Sequence, residues 1–155
     1  MEHEVHMRRC LELARVALDR GDAPVGAVIV AGDRIVGEGW ECTKALLDPT
    51  AHAEVRAVQS ACRAVGATDL RGTIMYSTVE PCVLCGFAVR SVGISHVVYG
   101  MAAGRLGACS SAYALLSDAA IAGWPAPPAI VSGVLESDCA VLMTQYRNRR
   151  AGHAP

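Results

Sequence analysis

The sequence predicts an α/β fold: a five-stranded mixed sheet with helices on both faces. Three observations carry this expectation. The chain has 155 residues, of which 52% are hydrophobic, enough for one compact domain with a sizeable core and unlike a disordered composition. Short runs rich in β-branched residues alternate with apolar stripes of helical period along nearly the whole length. A hairpin comes first and β-α units follow, giving the order α-β-β-α-β-α-β-α-β-α, in which the last three strands are parallel. Residues 1–155 therefore read as a single domain, with no internal repeat and no linker.

The elements follow in order. Residues 1–20 read as a helix, because Met7, Cys10, Leu11, Ala14 and Leu18 form one apolar stripe and Gly21 stands where a helix stop is expected. His3 and His6, near its start, read as solvated surface side chains. Residues 25–30 are a continuous apolar run, the mark of a strand buried on both faces. A turn at 31–33 leads to a second strand over 34–40, completing the hairpin. After a loop over 41–48, a helix is expected from Thr50 to about Val65. Val55, Val58, Cys62 and Val65 form its stripe, Asp48 or Thr50 its cap, Pro49 sits in its first turn, and Gly66 is its stop. A third strand covers 73–78. Glu80-Pro81 opens another helix, in or near which Gly86 and Gly93 imply close packing. Residues 96–100 form a fourth strand, and a helix is expected from Cys109 to about Ala122. Pro125, Pro127 and Pro128 mark a loop, and 129–132 a fifth strand. Leu135, Cys139, Leu142 and Tyr146 stripe the last helix, whose Arg147, Arg149 and Arg150 suit its C-terminal dipole.

Composition bounds the function. The formal net charge is −1, so no overall basic field advertises nucleic-acid binding. The cysteines number seven, an odd count, and the N-terminus is charged and helical in pattern rather than that of a signal peptide. No apolar stretch reaches the roughly 18 residues of a membrane helix. The expectation is a cytoplasmic protein with reduced thiols and no membrane partner. Cys10, Cys42, Cys62, Cys109 and Cys139 read as small apolar core fillers.

The remaining two cysteines belong to a different pattern: Pro49-Thr50-Ala51-His52-Ala53-Glu54, together with Glu80-Pro81-Cys82-Val83-Leu84-Cys85. Cys82 and Cys85 are three apart, neighbours on one turn of a helix. Such a pair alone fits a redox motif, half of a closed structural zinc site, or a catalytic zinc site. His52 is the one obvious third ligand, and three protein ligands leave a fourth position open, as in catalytic sites. Glu54 is then free to move protons. Residues i and i+2 do not face each other on a regular helix, so His52 is expected at the irregular start of its helix, with both ligand-bearing helices aiming their N-termini at the metal. Zn²⁺ lowers the pKa of bound water to about 7. Glu54 would take a water proton, hand it to a ring nitrogen and then protonate the departing amine. That chemistry is hydrolytic deamination.

These residues fit the zinc deaminase signature H-x-E…P-C-x-x-C, and the chain resembles the cytidine deaminase superfamily. The likeness is to the branch that holds tRNA adenosine deaminases, guanine deaminases and fungal-type cytosine deaminases. It extends over nearly the whole chain, including Pro24-Val25-Gly26-Ala27-Val28. It implies a cytidine-deaminase-like three-layer α-β-α sandwich, Zn²⁺ as cofactor, His52, Cys82 and Cys85 as ligands, Glu54 as the catalytic proton shuttle, backbone amides near Ala53 and Cys82 as substrate contacts, and a homodimer. Two departures stand out. Where the branch has an asparagine that hydrogen-bonds the base, this chain has Glu41, which accepts only when ionised. After the fourth strand, tRNA-editing relatives carry an Arg-Asp-x-Lys-Thr-Gly-Ala-like stretch, of which Met101 to Ala108 keeps only part. With Glu41 as a substrate-binding residue favouring donor-rich rings, the expected substrate is a small free heterocycle: cytosine, 5-azacytosine, guanine or an s-triazine such as ammeline. The alternative is editing of tRNA adenosine to inosine, against which the net charge and Glu41 both count. A third reading is a zinc-stabilised module without activity. Tyr113, Trp124 and Tyr146 are the aromatic candidates to cap the pocket.

Overall fold

A computed structural model describes residues 2–152. Its elements are α1 (Glu2–Asp19), β1 (Gly26–Ala31), β2 (Arg34–Trp40), α2 (Ala53–Val65), β3 (Ile74–Val79), α3 (Val83–Ser91), β4 (His96–Met101), β5 (Ala129–Val131) and α4 (Glu136–Ala151), with one 3-10 turn at Gly104–Leu106. The five strands form a single sheet in the order β2-β1-β3-β4-β5. β1 pairs antiparallel with both β2 and β3, whereas β3, β4 and β5 run parallel, as the β-α order requires.

Helices cover both faces. Met7, Cys10, Leu11 and Ala14 of α1 pack with Cys139 and Leu142 of α4 against Val28, Tyr76 and Val98. On the other face, Ala53, Ala57 and Ala61 of α2 and Val89 of α3 pack against Ala27, Ile29, Met75 and Val97. The central strands bury both faces, so β1 reads as a continuous apolar run rather than an alternating one. Cys10, Cys42 and Cys139 are buried fillers as expected, but Cys62 and Cys109 are only half-buried, and all seven thiols are free. His3 and His6 are half-buried rather than fully solvated. His3 Nδ1 lies 3.0 Å from the Tyr76 hydroxyl, and the His6 ring rests against the same tyrosine.

The seat of α2 fixes the site. Its buried residues are Ala53, Glu54, Ala57, Val58 and Ala61, so of the expected Val55–Val58–Cys62–Val65 stripe only Val58 is fully buried; Val65 is 49% exposed. The stripe is rotated because α2 lies nearly backbone to backbone on β2, where a Cβ at Gly37 or Gly39 would collide with the backbone of Ala57 or Ala53. Only small side chains fit between such closely set elements, so alanines face inward and the larger valine is turned out. α2 also starts later than expected. His52 is its N-cap, and neither Asp48 nor Thr50 caps it. Asp48 accepts instead from the amide and hydroxyl of Thr50, closing a local turn that delivers His52. Likewise α3 begins at Val83 with Cys82 as N-cap, two residues beyond the expected opening at Pro81. Gly86 is tightly packed as expected, since a Cβ there would press on the Ala108 side chain.

The helix expected from Cys109 to Ala122 does not form; that segment is a series of turns. Two buried charged side chains hold it. Arg90 of α3 donates to the carbonyls of Leu115, Asp118 and Pro125 at 2.8, 2.5 and 2.7 Å. Glu80 accepts from the amides of Cys109 and Ser110, each at 2.8 Å. Backbone groups bound to a guanidinium and a carboxylate have no need of helical partners, and apolar periodicity cannot reveal this.

Candidate active site

Three layers of local structure bring the site together. His52 and Cys82 each occupy the N-cap of a helix, in extended conformation, and neither side chain caps its own helix. Both are therefore free to point across the gap between the two helix starts, and Cys85 follows one turn into α3. His52 Nδ1 lies 3.5 Å from Cys82 Sγ and 3.4 Å from Cys85 Sγ, and the two sulfurs are 3.7 Å apart. A tetrahedral zinc with Zn–S near 2.3 Å and Zn–N near 2.0–2.1 Å implies edges of about 3.8 Å between sulfurs and about 3.6 Å between sulfur and nitrogen. The triangle has the dimensions that would hold a zinc ion, and all three donor residues line one cavity. Among the described residues, His52, Cys82 and Cys85 are the group able to hold a metal.

Among the three donors, the electrostatics favour a thiolate at Cys82. The Cys82 thiol is pushed down to about 4, chiefly by its hydrogen bond with Cys85 and then, against burial, by His52. His52 is raised to about 9, mainly by its hydrogen bond to Cys82. Cys85 is pushed up by that same Cys82 hydrogen bond and by burial. Two helix N-termini add a field that favours negative sulfur.

Glu54 is the second residue of α2, in its first turn, and is 3% exposed. Its Oε1 accepts from the Ser77 hydroxyl at 2.9 Å and its Oε2 from the Cys85 thiol at 3.4 Å. Burial raises its carboxyl to about 7. The i, i+2 pair converges with the ligands because His52 stands outside the helix and Glu54 inside it, as the spacing demanded. Ser77, buried on β3, was not singled out from the sequence; nothing local marks a mid-strand serine as a carboxylate partner 23 positions away.

The site opens into a cavity of about 170 Å³ lined by Ala23, Val25, Glu41, His52, Glu54, Val79, Glu80, Cys82, Cys85 and Ala103. That is smaller than the roughly 300–1,000 Å³ usual for drug-sized ligands, and suits one flat heterocycle. Glu41 faces this cavity. Burial raises its carboxyl, against the pull of His52 and of the Ala53 backbone N–H. Tyr113, Trp124 and Tyr146 do not line it. Tyr113 borders a neighbouring cavity with Val83, Trp124 packs on Phe87, and Tyr146 contacts Lys44. Tertiary placement decided this, since the segment expected to present Tyr113 as a helix is a set of turns.

Glu80 was passed over in the sequence, where it stood only as the residue before Pro81. It is 1% exposed. Its Oε1 accepts from the Ala103 amide at 3.2 Å and the Ser110 hydroxyl at 2.7 Å, and its Oε2 from the Cys109 and Ser110 amides. Burial alone would raise its carboxyl; these hydrogen bonds hold it below the ordinary value. Gly107 is pressed against the same carboxylate, with no space for a Cβ. Glu80 thereby anchors the segment after β4 to the floor of the cavity. An acidic residue two positions before a cysteine ligand, directly after an apolar strand, was the available signal.

Fold and site together define a zinc-dependent hydrolytic deaminase that acts on C–N bonds. Residues 1–101 match the model of the cytidine and deoxycytidylate deaminase zinc-binding region, and the chain belongs to that family. It is 34% identical over 140 residues to a tRNA-specific adenosine deaminase of Agrobacterium fabrum, covering 90% of each chain. It is 30% identical over 154 residues to the tRNA-specific adenosine deaminase subunit tad2 of Schizosaccharomyces pombe, but spans only 39% of that protein's length. A structure from work on A-to-I editing by tRNA:A34 deaminases superposes with a TM-score of 0.82 at 34% identity, over 88% of this chain and 97% of that one. These likenesses overturn the expectation of a small free heterocycle as substrate and partner, since the curated relatives at 30–34% identity across most of the chain are tRNA-specific adenosine deaminases. The net charge misled because it is a sum: it says nothing of where the cations sit. Among the described residues no helix is long and apolar enough to cross a membrane.

Proposed function

We propose that this chain deaminates adenosine within a tRNA to inosine. The observation that carries the reading is the near-complete, mutual coverage of the tRNA adenosine deaminases, with the His52–Glu54–Cys82–Cys85 constellation intact. The cavity takes a base but has no room for a polynucleotide, so the target nucleotide must be flipped out of its stack to enter. His52, Cys82 and Cys85 would hold the zinc, which when bound supplies a water activated for attack near neutral pH. Glu54 removes a proton from that water as its oxygen attacks the amino-bearing carbon of the ring, and passes the proton to the adjacent ring nitrogen. It then takes the remaining proton from the added hydroxyl and gives it to the amine as the C–N bond breaks and the C=O forms, and ammonia leaves. Buried and held by Ser77, Glu54 needs no reorientation between these steps. Glu41 accepts at the cavity wall; in adenosine the groups able to donate to it are the exocyclic amine and the ribose hydroxyls.

Leu84, Phe87, Leu106 and Tyr113 are large apolar side chains 40–61% exposed, and Val83 and Tyr113 line one cavity beside the site. We propose that a second copy covers this face, forming a homodimer measurable by light scattering. Cytoplasmic location accords with a tRNA substrate. The decisive assay incubates the zinc-loaded protein with a tRNA bearing adenosine at its wobble position and with free adenosine, guanine and cytosine. Inosine in the tRNA is the expected product; ammonia from a free base without tRNA inosine would overturn the reading.

A further inference from the structure

A second cavity, of about 350 Å³, lies away from the zinc site, where the ends of α1 and α4 meet the loop after β2. It is lined by Leu18, Asp19, Gly21, Lys44, Tyr146, Arg149 and Arg150. Three cations and one carboxylate face it, in a chain whose formal net charge is −1. Its cations come from segments far apart in sequence. Lys44 Nζ donates to the Tyr146 hydroxyl at 2.8 Å, 102 positions away, and to the Gly21 carbonyl at 3.4 Å. Arg149 Nη1 donates to the Leu18 carbonyl at 3.3 Å. The Arg150 guanidinium stands 5.7 Å from the Tyr146 ring centroid, and the Lys44 ammonium 5.0 Å.

We infer that this cavity is a subsite for a phosphodiester group of the RNA whose base enters the zinc cavity. The inference rests on the tRNA reading above. Arginines that merely answered the dipole of α4 would need no lysine brought from another loop. Here Lys44 is the only lysine of the chain, and Tyr146 accepts from it, leaving the phenolic proton free for an incoming oxygen. An ammonium has three donors and two are engaged, so one remains for an anion. A guanidinium offers the fork geometry that suits a phosphate.

The loop joins the two cavities. Glu41 lines the zinc cavity, Lys44 the second, and they stand three positions apart, at most about 11 Å of extended chain. The loop is held: the buried Asp22 carboxylate accepts from the Lys44 and Ala45 amides at 2.9 and 3.2 Å and from the Thr43 hydroxyl at 3.3 Å. The same loop runs on to His52. Lys44 is thus held on the same short segment that carries Glu41 and leads to His52. Phosphate contacts of this kind set register and carry no base specificity.

The test is fluorescence anisotropy of a labelled RNA stem-loop with an adenosine in its loop, measured over a range of salt, on the zinc-loaded full chain. Lys44→Ala and Arg150→Ala are each expected to weaken binding by about three- to tenfold, and to lower the slope of log affinity against log salt by about 1. The loss should fall on KM for the RNA. Lys44→Arg should restore the slope. Arg34→Ala, on the far hairpin, should change neither quantity. Wild-type affinity and slope in both alanine variants would overturn the inference, as would wild-type binding that ignores salt. The two readings fail separately. Inosine formation with unaffected variants refutes only the subsite, whereas salt-dependent binding lost in the variants without inosine refutes only the reaction.

Discussion

Replacing Glu80 by glutamine keeps size and shape but changes what the buried group can accept. The wild-type carboxylate accepts four hydrogen bonds, two at each oxygen. The least damaging arrangement keeps the glutamine oxygen under the Cys109 and Ser110 amides and turns its NH₂ toward the Ser110 hydroxyl, which can rotate to accept. The Ala103 N–H then faces a donor. One orphaned amide costs roughly 1–3 kcal/mol, and converting two charge-assisted bonds to neutral ones about 1 kcal/mol each. Relief from burying a charge offsets part of this, leaving about 3 kcal/mol. In a domain of this size that is a fall in Tm of about 6–12 °C. Because Ala103 lines the zinc cavity, the RNA KM should rise while zinc content holds. Thermal unfolding by circular dichroism, with metal analysis, reads both. A variant melting within about 1 °C of wild type would refute the claim that Glu80 holds the segment after β4.

Further outcomes follow from the same geometry. Glu54→Ala should lose at least about 10²–10⁴-fold in turnover while retaining zinc by metal analysis; ammonia release at an undiminished rate would exclude Glu54 as the proton carrier. Gly39→Ala drives a methyl into the Ala53 backbone, so a loss of about 1–3 kcal/mol in denaturant unfolding and weaker zinc retention are expected, because α2 carries His52. Glu41→Gln adds a donor to the cavity wall. A changed ratio of activity on RNA against its 2′-deoxy counterpart is expected from it, and an unchanged ratio would place Glu41 outside substrate contact.

Much of the fold was legible in sequence where side chains answer mainly to their own element. The β1 run, the hairpin and the parallel order of β3 to β5 follow from periodicity and connection length. What escaped depended on distant partners. α2 turned its alanines inward because two glycines of β2 let it approach, and the segment from Cys109 to Ala122 lost its helix to Arg90 and Glu80, whose partners lie 23 to 35 positions away. Buried charges leave no periodic trace, because their effect is on someone else's backbone.

For the site the division is sharper. The sequence by itself determined the reaction, since a histidine, two cysteines three apart and a glutamate two beyond the histidine admit little chemistry other than a zinc-assisted proton transfer. Tertiary structure decided the rest. It set the metal triangle by placing two ligands at helix N-caps, put Glu41 on the cavity wall, and removed all three candidate aromatics from it. It also gathered Lys44 and the α4 arginines into one concave patch that a net charge of −1 conceals. Composition adds charges without their positions, and recognition of a polynucleotide depends on the positions.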